Sequence, residues 1–341
     1  MFMLGGCEAP GYYWQAGEGQ WQLLHQRQEV AELIESEQTP EQLRERLLTS
    51  QQMIDFAHQA LKLPDNGSYR HYVDLERPYV VWNLFASEEF LIEPYQWCYP
   101  VAGCLNYRGY FDPESADQAA TKMAQQGFDT WVGGVRAYST LGWFSDPLLN
   151  TFIYQQELGL AELIFHEMAH QRVFAKGDTE FNESLATVIA NEGVRRWALR
   201  SNLHYDRHEV ETERNNRQAF ALLVKETRDQ LQALYRRPLD DSTKRAQKQQ
   251  VLQQLRIEYQ RRRRAQWQTF DRYDDWVAGD LNNAKLSTVS SYYRWVPLFE
   301  SLLQESDRDL DALYSELDRL AAMPPQKRRG ALHKLETSYN K

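Results

Sequence analysis

The spacing of apolar residues in the first part of the chain predicts alternating helical and extended segments. Over residues 19–62, leucine, isoleucine and valine recur three or four positions apart, which is the spacing of an amphipathic helix. From 69 to 111 the spacing becomes β-like, and the run YVVWNLF at 79–85 is the clearest strand. A helix is predicted over 113–126 and a further strand over 130–138.

The second part of the chain shows helical spacing almost throughout. Residues 158–190 are helical with one break, and 290–335 form a final helical region. Two long polar helices, 206–236 and 242–268, are separated by Pro238 and are expected to form an antiparallel hairpin. We therefore expect an α+β fold that is mostly helical, with a small mixed sheet and a long helical hairpin.

Composition narrows the class of protein. The chain has 341 residues, of which 42% are hydrophobic and 13% aromatic, so it has enough apolar side chains for a folded core. The net charge of −9 argues against a nucleic-acid partner. The run of four arginines at 261–264 is local, and such runs are usually solvated helix faces.

The most informative motif is HEMAH at 166–170, which follows an apolar helical run. Residues four apart lie on one face of a helix, so His166 and His170 can direct their imidazole rings at one metal ion. Glu167 occupies the position of a general base that takes a proton from the water activated by zinc. Two histidines at this spacing also occur on ordinary polar helix faces. The intervening glutamate and the apolar flank favour a zinc site.

A third zinc ligand is expected after the motif, because hydrolytic zinc takes three protein ligands and one water. The first helix is expected to end near Gly177, and Asp178 or Thr179 can cap the next one. Two helices joined by a tight turn pack antiparallel, so the first turn of the second helix faces the histidines. Glu180 and Glu183 both lie there, and Glu183 is the stronger candidate because the apolar surface of the helix adjoins it. An ordinary acidic residue in a first helical turn is the alternative.

The pattern HExxH followed by NExxA at 182–186 resembles that of the gluzincins, thermolysin-like metallopeptidases whose third zinc ligand is a glutamate on the next helix. The interval between His170 and Glu183 is shorter than in thermolysin, so the connecting segment differs. Nearly the whole chain is also similar to a bacterial family of putative aminopeptidases, which are predicted lipoproteins. The shared phrases are GYYWQA at 11–16, CYPVAGC at 98–104, AYSTLGWF at 137–144, KGDTEFNE at 176–183, NNA at 282–284, Tyr292 and VP at 296–297.

The resemblance implies a zincin-like metallopeptidase core and a role for each residue of the site. Zinc, Zn(2+), held by the two histidines and Glu183 polarises the scissile carbonyl of a peptide substrate, and Glu167 passes a proton to the leaving amine. Gluzincins stabilise the oxyanion with a downstream tyrosine or histidine. Tyr292 is the candidate here and Tyr293 is its rival, while a buried core aromatic is the alternative for both.

The same resemblance implies a strand that binds the substrate backbone. In thermolysin-like enzymes an edge strand precedes the HExxH helix, and residues 133–138 have that position here. Gly134, Ala137 and Tyr138 are the expected contacts, through main-chain hydrogen bonds that align a peptide without reading its side chains. The alternative is a structural strand in which the glycines mark a bend.

The first residues suggest a lipoprotein. The sequence LGGC at 4–7 resembles the end of a bacterial lipoprotein signal, in which the cysteine becomes the acylated first residue. Cys7 would carry the lipid, residues 1–10 would be the residual signal and anchor, and an apolar signal would be encoded before Met1. An incidental cysteine is the alternative. No run approaches the ~20 apolar residues of a membrane span, so attachment would be by lipid alone.

The other two cysteines agree with export. Cys98 and Cys104 are six positions apart around a proline and a glycine, and a turn there can bring them within bonding distance. In an oxidising periplasm they would form a disulfide, whereas in the cytoplasm they would remain thiols. We therefore expect a protein of the bacterial cell envelope that faces the periplasm.

These observations predict a zinc-dependent peptidase, and the family resemblance implies that it is an aminopeptidase. The peptidase domain is expected to span 11–341, with the helical hairpin inserted at about 206–268. An aminopeptidase needs an acidic group for the ammonium of its substrate, and Glu180 or Asp178 could serve. The alternative is a non-catalytic envelope lipoprotein that binds a partner through the hairpin. Glu167 argues against that alternative, because a binding module has no need of a general base.

Overall fold

The structure, a computed structural model, describes residues 15, 17–19, 21, 23–99, 103–137, 145–289 and 294–339. Most of these residues are helical and the strands are short, so the predicted α+β, mostly helical fold is confirmed. None of the helices in these ranges is long and apolar enough to cross a membrane.

Short strands and three helices make up the chain to Leu149 in the ranges given below, and the later elements of the described residues are helices. The helices are α1 (Val30–Glu35), α2 (Glu41–Leu61), α3 (Pro113–Gln125), α4 (Asn150–Ile153), α5 (Glu157–Arg172), α6 (Thr179–Arg200), α7 (Arg207–Tyr235), α8 (Asp241–Ala265), α9 (Asp274–Ala278), α10 (Asn283–Ser287), α11 (Val296–Glu305), α12 (Leu310–Ala321) and α13 (Pro325–Tyr339). The strands are β1 (Gln28–Glu29), β2 (His71–Val73), β3 (Val81–Glu88), β4 (Trp97–Tyr99), β5 (Gly103–Leu105), β6 (Arg108–Tyr110), β7 (Phe128–Val135) and β8 (Leu148–Leu149).

The segment 19–62, expected to be helical, contains in its described part helical residues at 19, 21 and 23–25, then a strand and two further helices. β1 leaves the helical conformation because it pairs antiparallel with β2, with Gln28 opposite Tyr72. A turn then separates α1 from α2, and Pro40 immediately precedes the first residue of α2. A proline is tolerated at the start of a helix, where a missing backbone N–H breaks no helical hydrogen bond.

The helix predicted over 113–126 and the strand predicted over 130–138 are present with small shifts at their ends. The helix expected over 113–126 is α3. Asp112 caps it, because its carboxylate accepts a hydrogen bond from the backbone N–H of Ser115 at 2.7 Å. The strand expected over 130–138 is β7, which starts two residues earlier and ends at Val135.

The described residues form two compact units, and each unit is assembled from segments that are separate in sequence. The hairpin unit comprises the described residues within 1–21, 79–135 and 206–291. The motif unit comprises those within 22–78, 136–205 and 292–341. The predicted anchor at 1–10 and the single peptidase domain over 11–341 stay predictions.

In the motif unit, a three-stranded sheet has the order β1-β2-β8. β2 pairs parallel with β8, with Tyr72 opposite Leu148, and β8 leads directly into α4. Helix α2 contacts both α5 and α6 through the Phe56 ring, which lies 5.8 Å from the Phe165 ring and 5.4 Å from the Trp197 ring. These aromatic side chains form part of the core that fixes α5 and α6, the two helices of the motif.

In the hairpin unit, the sheet has the order β6-β3-β7, and helices α7 and α8 form the predicted hairpin. Arg237, just after α7, donates to Gln247 at 3.0 Å, whereas Phe220 in the middle of α7 contacts Tyr259 near the end of α8, with ring centroids 5.7 Å apart. Residue numbers therefore rise on one helix as they fall on the other. The antiparallel arrangement predicted for the hairpin is confirmed.

The two cysteines expected to pair form a disulfide. Strands β4 and β5 are antiparallel, with Cys98 opposite Cys104, and their sulfur atoms are bonded. The disulfide therefore closes a short hairpin, as predicted. Cys7, the candidate lipidation site, lies outside the described residues.

Glu192 on α6 is buried among three arginines of the motif unit. Its side chain is 1% exposed and accepts hydrogen bonds from Arg195 at 2.7 Å, from Arg196 at 2.7 Å and from Arg308 at 2.5 Å. Burial alone would raise the pKa of Glu192, but the hydrogen bonds from Arg195 and Arg196 outweigh it and lower the pKa to about 2. The carboxylate therefore holds α6 to the segment before α12 while it is ionised.

We expect Glu192→Gln to destabilise the protein by about 2–3 kcal/mol near neutral pH, because the arginines lose a buried anionic partner. The loss is no larger because the arginines are themselves partly solvated. The folded-state pKa lies below the unfolded value, so the contribution of the carboxylate is complete above about pH 5 and is lost as the pH falls toward 2. Urea unfolding at several pH values measures the difference in the free energy of unfolding between the variant and the wild type. Glu316→Gln, which removes a more exposed partner of Arg319, is the control. A difference that stays constant with falling pH would contradict the assignment.

Candidate metal centre

The residues of the HEMAH motif and of its expected third ligand lie on two antiparallel helices, α5 and α6. Trp197, near the end of α6, donates from Nε1 to the carboxylate of Glu157, the first residue of α5, at 3.0 Å. The close approach of the helices depends on Gly193, where a Cβ atom would lie 2.6 Å from the Phe165 ring. The antiparallel packing predicted from the tight connection is confirmed.

The connection between the two helices is fixed by hydrogen bonds of its own. Gly177 has a φ of +75°, in the left-handed region that favours glycine. Asp178 caps α6, since its side chain accepts a hydrogen bond from the backbone N–H of Phe181 at 3.1 Å. The buried amide of Asn182 accepts from the N–H of Ala175 at 2.8 Å and donates to its carbonyl oxygen at 2.9 Å. These bonds set the position of the first turn of α6, which carries Glu183.

Asp178 is also bound by a buried arginine. Arg328 on α13 is 1% exposed and donates from Nε to Asp178 at 2.8 Å. Its guanidinium also donates to the carbonyl oxygen of Ala321 at 2.8 Å. Both carboxylate oxygens of Asp178 are thus engaged in the fold, which leaves Glu180 as the better of the two candidates for the substrate ammonium.

The two histidines and Glu183 come together at one point. His166 Nε2 lies 3.2 Å from one carboxylate oxygen of Glu183, and His170 Nε2 lies 3.4 Å from the other. Ligands at about 2.0–2.1 Å from a tetrahedral zinc ion lie about 3.3 Å from one another. The two distances to Glu183 match that spacing, and the three residues could hold a metal ion. Glu180, the rival to Glu183, is not part of this group.

Burial and charge set the protonation of the ligands. Burial and the charge of His166 together lower the pKa of His170 to about 4, although Glu183 opposes them, so its ring is neutral at physiological pH. Burial also acts to lower the pKa of His166, but the hydrogen bond with Glu183 and the charge of Glu167 raise it above its ordinary value. The pKa of Glu183 is lowered, because its bonds to the histidines outweigh the effect of burial. His170 Nδ1 is buried and has no hydrogen-bond partner in the described part of the chain.

Glu167 lies in a carboxylate-rich, partly buried environment. Its pKa is raised to about 7, mainly by burial; the charge of His166 opposes this rise, and the carboxylates of Glu183 and Asp146 add to it. A carboxyl group with a pKa near neutrality is suited to both taking up and releasing a proton. The predicted general base thus has suitable proton chemistry.

Two further residues of this site were not predicted from the sequence. Tyr69 is 3% exposed, and the pKa of its phenol is raised well above 10.0 by burial and by the charges of Glu167 and Asp146. Its backbone N–H donates to the carbonyl oxygen of Asp146 at 2.6 Å, and its φ of +64° is uncommon for a residue other than glycine. Neither residue lies near the motif in sequence, so no local signal identifies them.

The expected oxyanion and substrate residues are only partly described. Tyr292, Tyr293 and Tyr138 lie outside the described residues. The chain is described again from residue 294, and the backbone N–H of Trp295 donates to the hydroxyl of Ser184, the neighbour of Glu183, at 3.3 Å.

The remaining residues expected to bind substrate are Gly134 and Ala137. Gly134 lies on β7 of the hairpin unit, opposite Trp82 of β3, and a Cβ atom there would collide with the ring of Tyr79. β7 pairs only with β3 among the described strands, so it is an edge strand, as expected. Ala137 is half-buried, follows the end of β7 and belongs to the motif unit. The role of both residues in substrate binding stays a prediction.

A mostly helical α+β fold with a partly buried His–His–Glu group beside a further glutamate is the arrangement expected of a metal-dependent hydrolase. The family model described as "Putative aminopeptidase" matches residues 11–332, and the chain belongs to this family. The predicted family is thereby confirmed, and its name indicates a peptidase that acts on peptides. Comparison with curated proteins and with solved structures gave no match.

Proposed function

We propose that the protein is a gluzincin-like zinc peptidase with a zincin-like core, and that it removes residues from the N-termini of peptides. The observation that carries this proposal is the spacing of His166, His170 and Glu183, whose donor atoms all lie within 4.8 Å of one another. Their composition, two imidazoles and one carboxylate, is that of catalytic rather than structural zinc sites. The family description supports the choice of a peptide substrate.

The mechanism assigns each side chain a separate task. Zinc, when bound by the three ligands, supplies a Lewis acid for the scissile carbonyl and lowers the pKa of a coordinated water. Glu167 accepts the proton of the attacking water and donates it to the departing amine. Tyr292 donates to the developing oxyanion, a role supported by the resemblance to the gluzincins.

Metal content and metal removal test the function directly. We expect one zinc ion per chain after purification in the presence of zinc, and hydrolysis of an unblocked aminoacyl anilide. Prolonged chelation should remove zinc and activity together, and added zinc should restore both. Elemental analysis and the anilide assay measure the two quantities. Hydrolysis that continues in protein shown to be free of metal would disprove the zinc mechanism.

A second substrate tests whether the enzyme cleaves at the N-terminus of a peptide or within it. An aminopeptidase requires the free ammonium of its substrate, so acetylation of the same anilide should abolish hydrolysis. Equal rates on both substrates would replace the aminopeptidase proposal with an endopeptidase. The zinc assignment would be unaffected by that result, because it rests on metal content.

We further propose that the mature protein is lipid-anchored at Cys7 and faces the periplasm. The disulfide between Cys98 and Cys104 supports an oxidising compartment. The full native gene, expressed in bacteria, should give protein that partitions with membranes, and Cys7→Ser should release it. Free thiols at positions 98 and 104 in periplasmic material would contradict this location.

Removal of the disulfide should affect stability but not zinc chemistry. Closing a loop of this length stabilises the fold by about 2 kcal/mol through the entropy of the unfolded chain. We therefore expect the variant with both Cys98→Ala and Cys104→Ala to unfold at lower urea concentration with unchanged zinc content and activity. Reduction of the wild type provides the matched comparison. Loss of zinc in a variant that remains folded would show that the hairpin contributes to the metal centre.

The buried apolar side chains of the hairpin do not favour the alternative of a non-catalytic binding protein. The apolar side chains that the hairpin helices bury pack into a core within the hairpin unit, where Phe220, Leu231, Leu252 and Leu255 are at most 2% exposed. Their burial is explained by folding alone.

A further inference from the structure

An open cleft in the hairpin unit contains a buried lysine that forms no ion pair with any other described residue. The cleft has a volume of about 560 Å³ and is lined by residues of α3, β7 and the segment leading into α10. Lys285 lines it and is only 4% exposed. Its ammonium has neither a hydrogen-bond acceptor nor an ion-pair partner within the described residues. An unpaired charge in a buried position is costly, so a ligand is the simplest explanation for it.

The other buried cations in the described ranges are paired. Lys248 donates to the carboxylate of Asp129 at 2.6 Å and to a backbone carbonyl at 2.9 Å. Arg328 donates to Asp178 at 2.8 Å and to two backbone carbonyls. Lys285 therefore departs from the way in which this protein otherwise accommodates buried positive charge.

The surroundings position the ammonium of Lys285 without neutralising it. Its Nζ lies 5.4 Å from the centroid of the Trp276 ring, in a cation–π arrangement. Gly279 leaves the necessary room, because a Cβ atom there would lie 2.7 Å from Nζ. Burial lowers the pKa of Lys285, and although the charge of Asp280 opposes this effect, the two side chains form no ion pair. The ammonium is thus available to a ligand in the cleft.

The other residues of the cleft define the class of ligand. A buried ammonium pairs best with a carboxylate, through a charge-assisted hydrogen bond. Asp117 and Asp280 also line the cleft, so they disfavour a bare anion and favour a ligand with a cationic end. Trp131 and Val132 add apolar lining. A carboxylate, an ammonium and an apolar side chain occur together in a free apolar α-amino acid.

We propose that this cleft binds a free apolar α-amino acid, with its carboxylate on Lys285 and its ammonium toward Asp117 and Asp280. The site uses none of the residues of the candidate metal centre. The proposal therefore stands whether or not the protein is a peptidase.

Calorimetric titration of the full chain with three related ligands tests the proposal. L-Leucine carries both charges, 4-methylpentanoate lacks the ammonium, and leucinol lacks the carboxylate. We expect leucine to bind most tightly, and Lys285→Met to weaken its binding by about tenfold or more. Asp280→Asn should narrow the preference for leucine over 4-methylpentanoate. Lys225→Met, which removes an exposed lysine of α7 in the same unit, should bind leucine as the wild type does.

The results that would overturn the proposal of an amino-acid site can be told apart from one another. Equal binding of leucine by wild type and Lys285→Met, or no binding by the wild type, would overturn the proposal. Binding that disappears when zinc is removed but survives Lys285→Met would place leucine at the metal centre and also overturn it.

A measurement on the wild type covers the case in which Lys285→Met does not fold. Acetylation by an activated ester, followed by peptide mass spectrometry, reports the accessibility of each lysine amine. Leucine should slow the acetylation of Lys285 but not that of Lys225, whereas leucinol should protect neither. Equal acetylation of Lys285 with and without leucine would overturn the proposal.

Discussion

Glu167→Gln is expected to retain zinc and to lose hydrolysis by a factor of about 10²–10⁴, the usual contribution of a general base. The amide has nearly the same shape as the carboxylate but cannot accept the proton of the attacking water. The amide is also uncharged, and the site already disfavours a charge at this position, since the pKa of Glu167 is raised to about 7 there. We therefore expect no loss of stability. The ratio kcat/KM on an unblocked aminoacyl anilide measures the loss, and elemental analysis measures the zinc.

The control for this variant is Glu45→Gln, an exposed glutamate on α2 of the same unit. It should match the wild type in zinc content, in stability and in rate. A rate for Glu167→Gln close to that of the control would remove Glu167 from the mechanism. A variant that loses zinc as well as activity would instead assign Glu167 a part in holding the ligand helices.

The sequence was most informative where the controlling interactions are local. The cap of α6 at Asp178 and the antiparallel hairpin of α7 and α8 follow from turn residues and helical spacing within a few positions. The candidate metal ligands are local in the same sense. His166 and His170 share one helix face, and Glu183 lies near the start of the next helix, after a short connection. Residue types and spacing were therefore enough to select these three residues.

The features that were not predicted from the sequence depend on contacts between segments that are distant in the chain. Tyr69 feels the charge of Glu167 because β2 pairs in parallel with β8, where Tyr72 lies opposite Leu148, 76 positions later. β1 interrupts a helical pattern because it pairs with a strand more than forty residues later. The isolation of the Lys285 ammonium is a property of its surroundings as a whole. None of these features leaves a periodic or motif-like signal in the sequence.

Glu183→Ala is expected to weaken zinc binding by more than about a hundredfold, since the loss of a direct ligand should exceed the 10–100-fold cost of removing an outer partner. Activity should fall with zinc occupancy. The variant leaves His166 and His170 on their helix but removes the carboxylate that lies 3.2 Å and 3.4 Å from their Nε2 atoms. Competition with a coloured zinc chelator measures affinity, and the anilide assay at saturating zinc measures what activity remains.

Glu180→Ala distinguishes a ligand from a nearby negative charge. Glu180 lies in the same first turn of α6, three residues before Glu183, but outside the group of donor atoms that could hold a metal. Its replacement should leave zinc affinity unchanged, and a rise in KM alone would agree with a role in holding the substrate ammonium. If Glu180→Ala lost zinc while Glu183→Ala kept it, the first turn of α6 would have to be rotated relative to the histidines. That rotation would break the bonds of Asn182 to Ala175 and of Asp178 to Arg328, so it would also appear as a loss of stability.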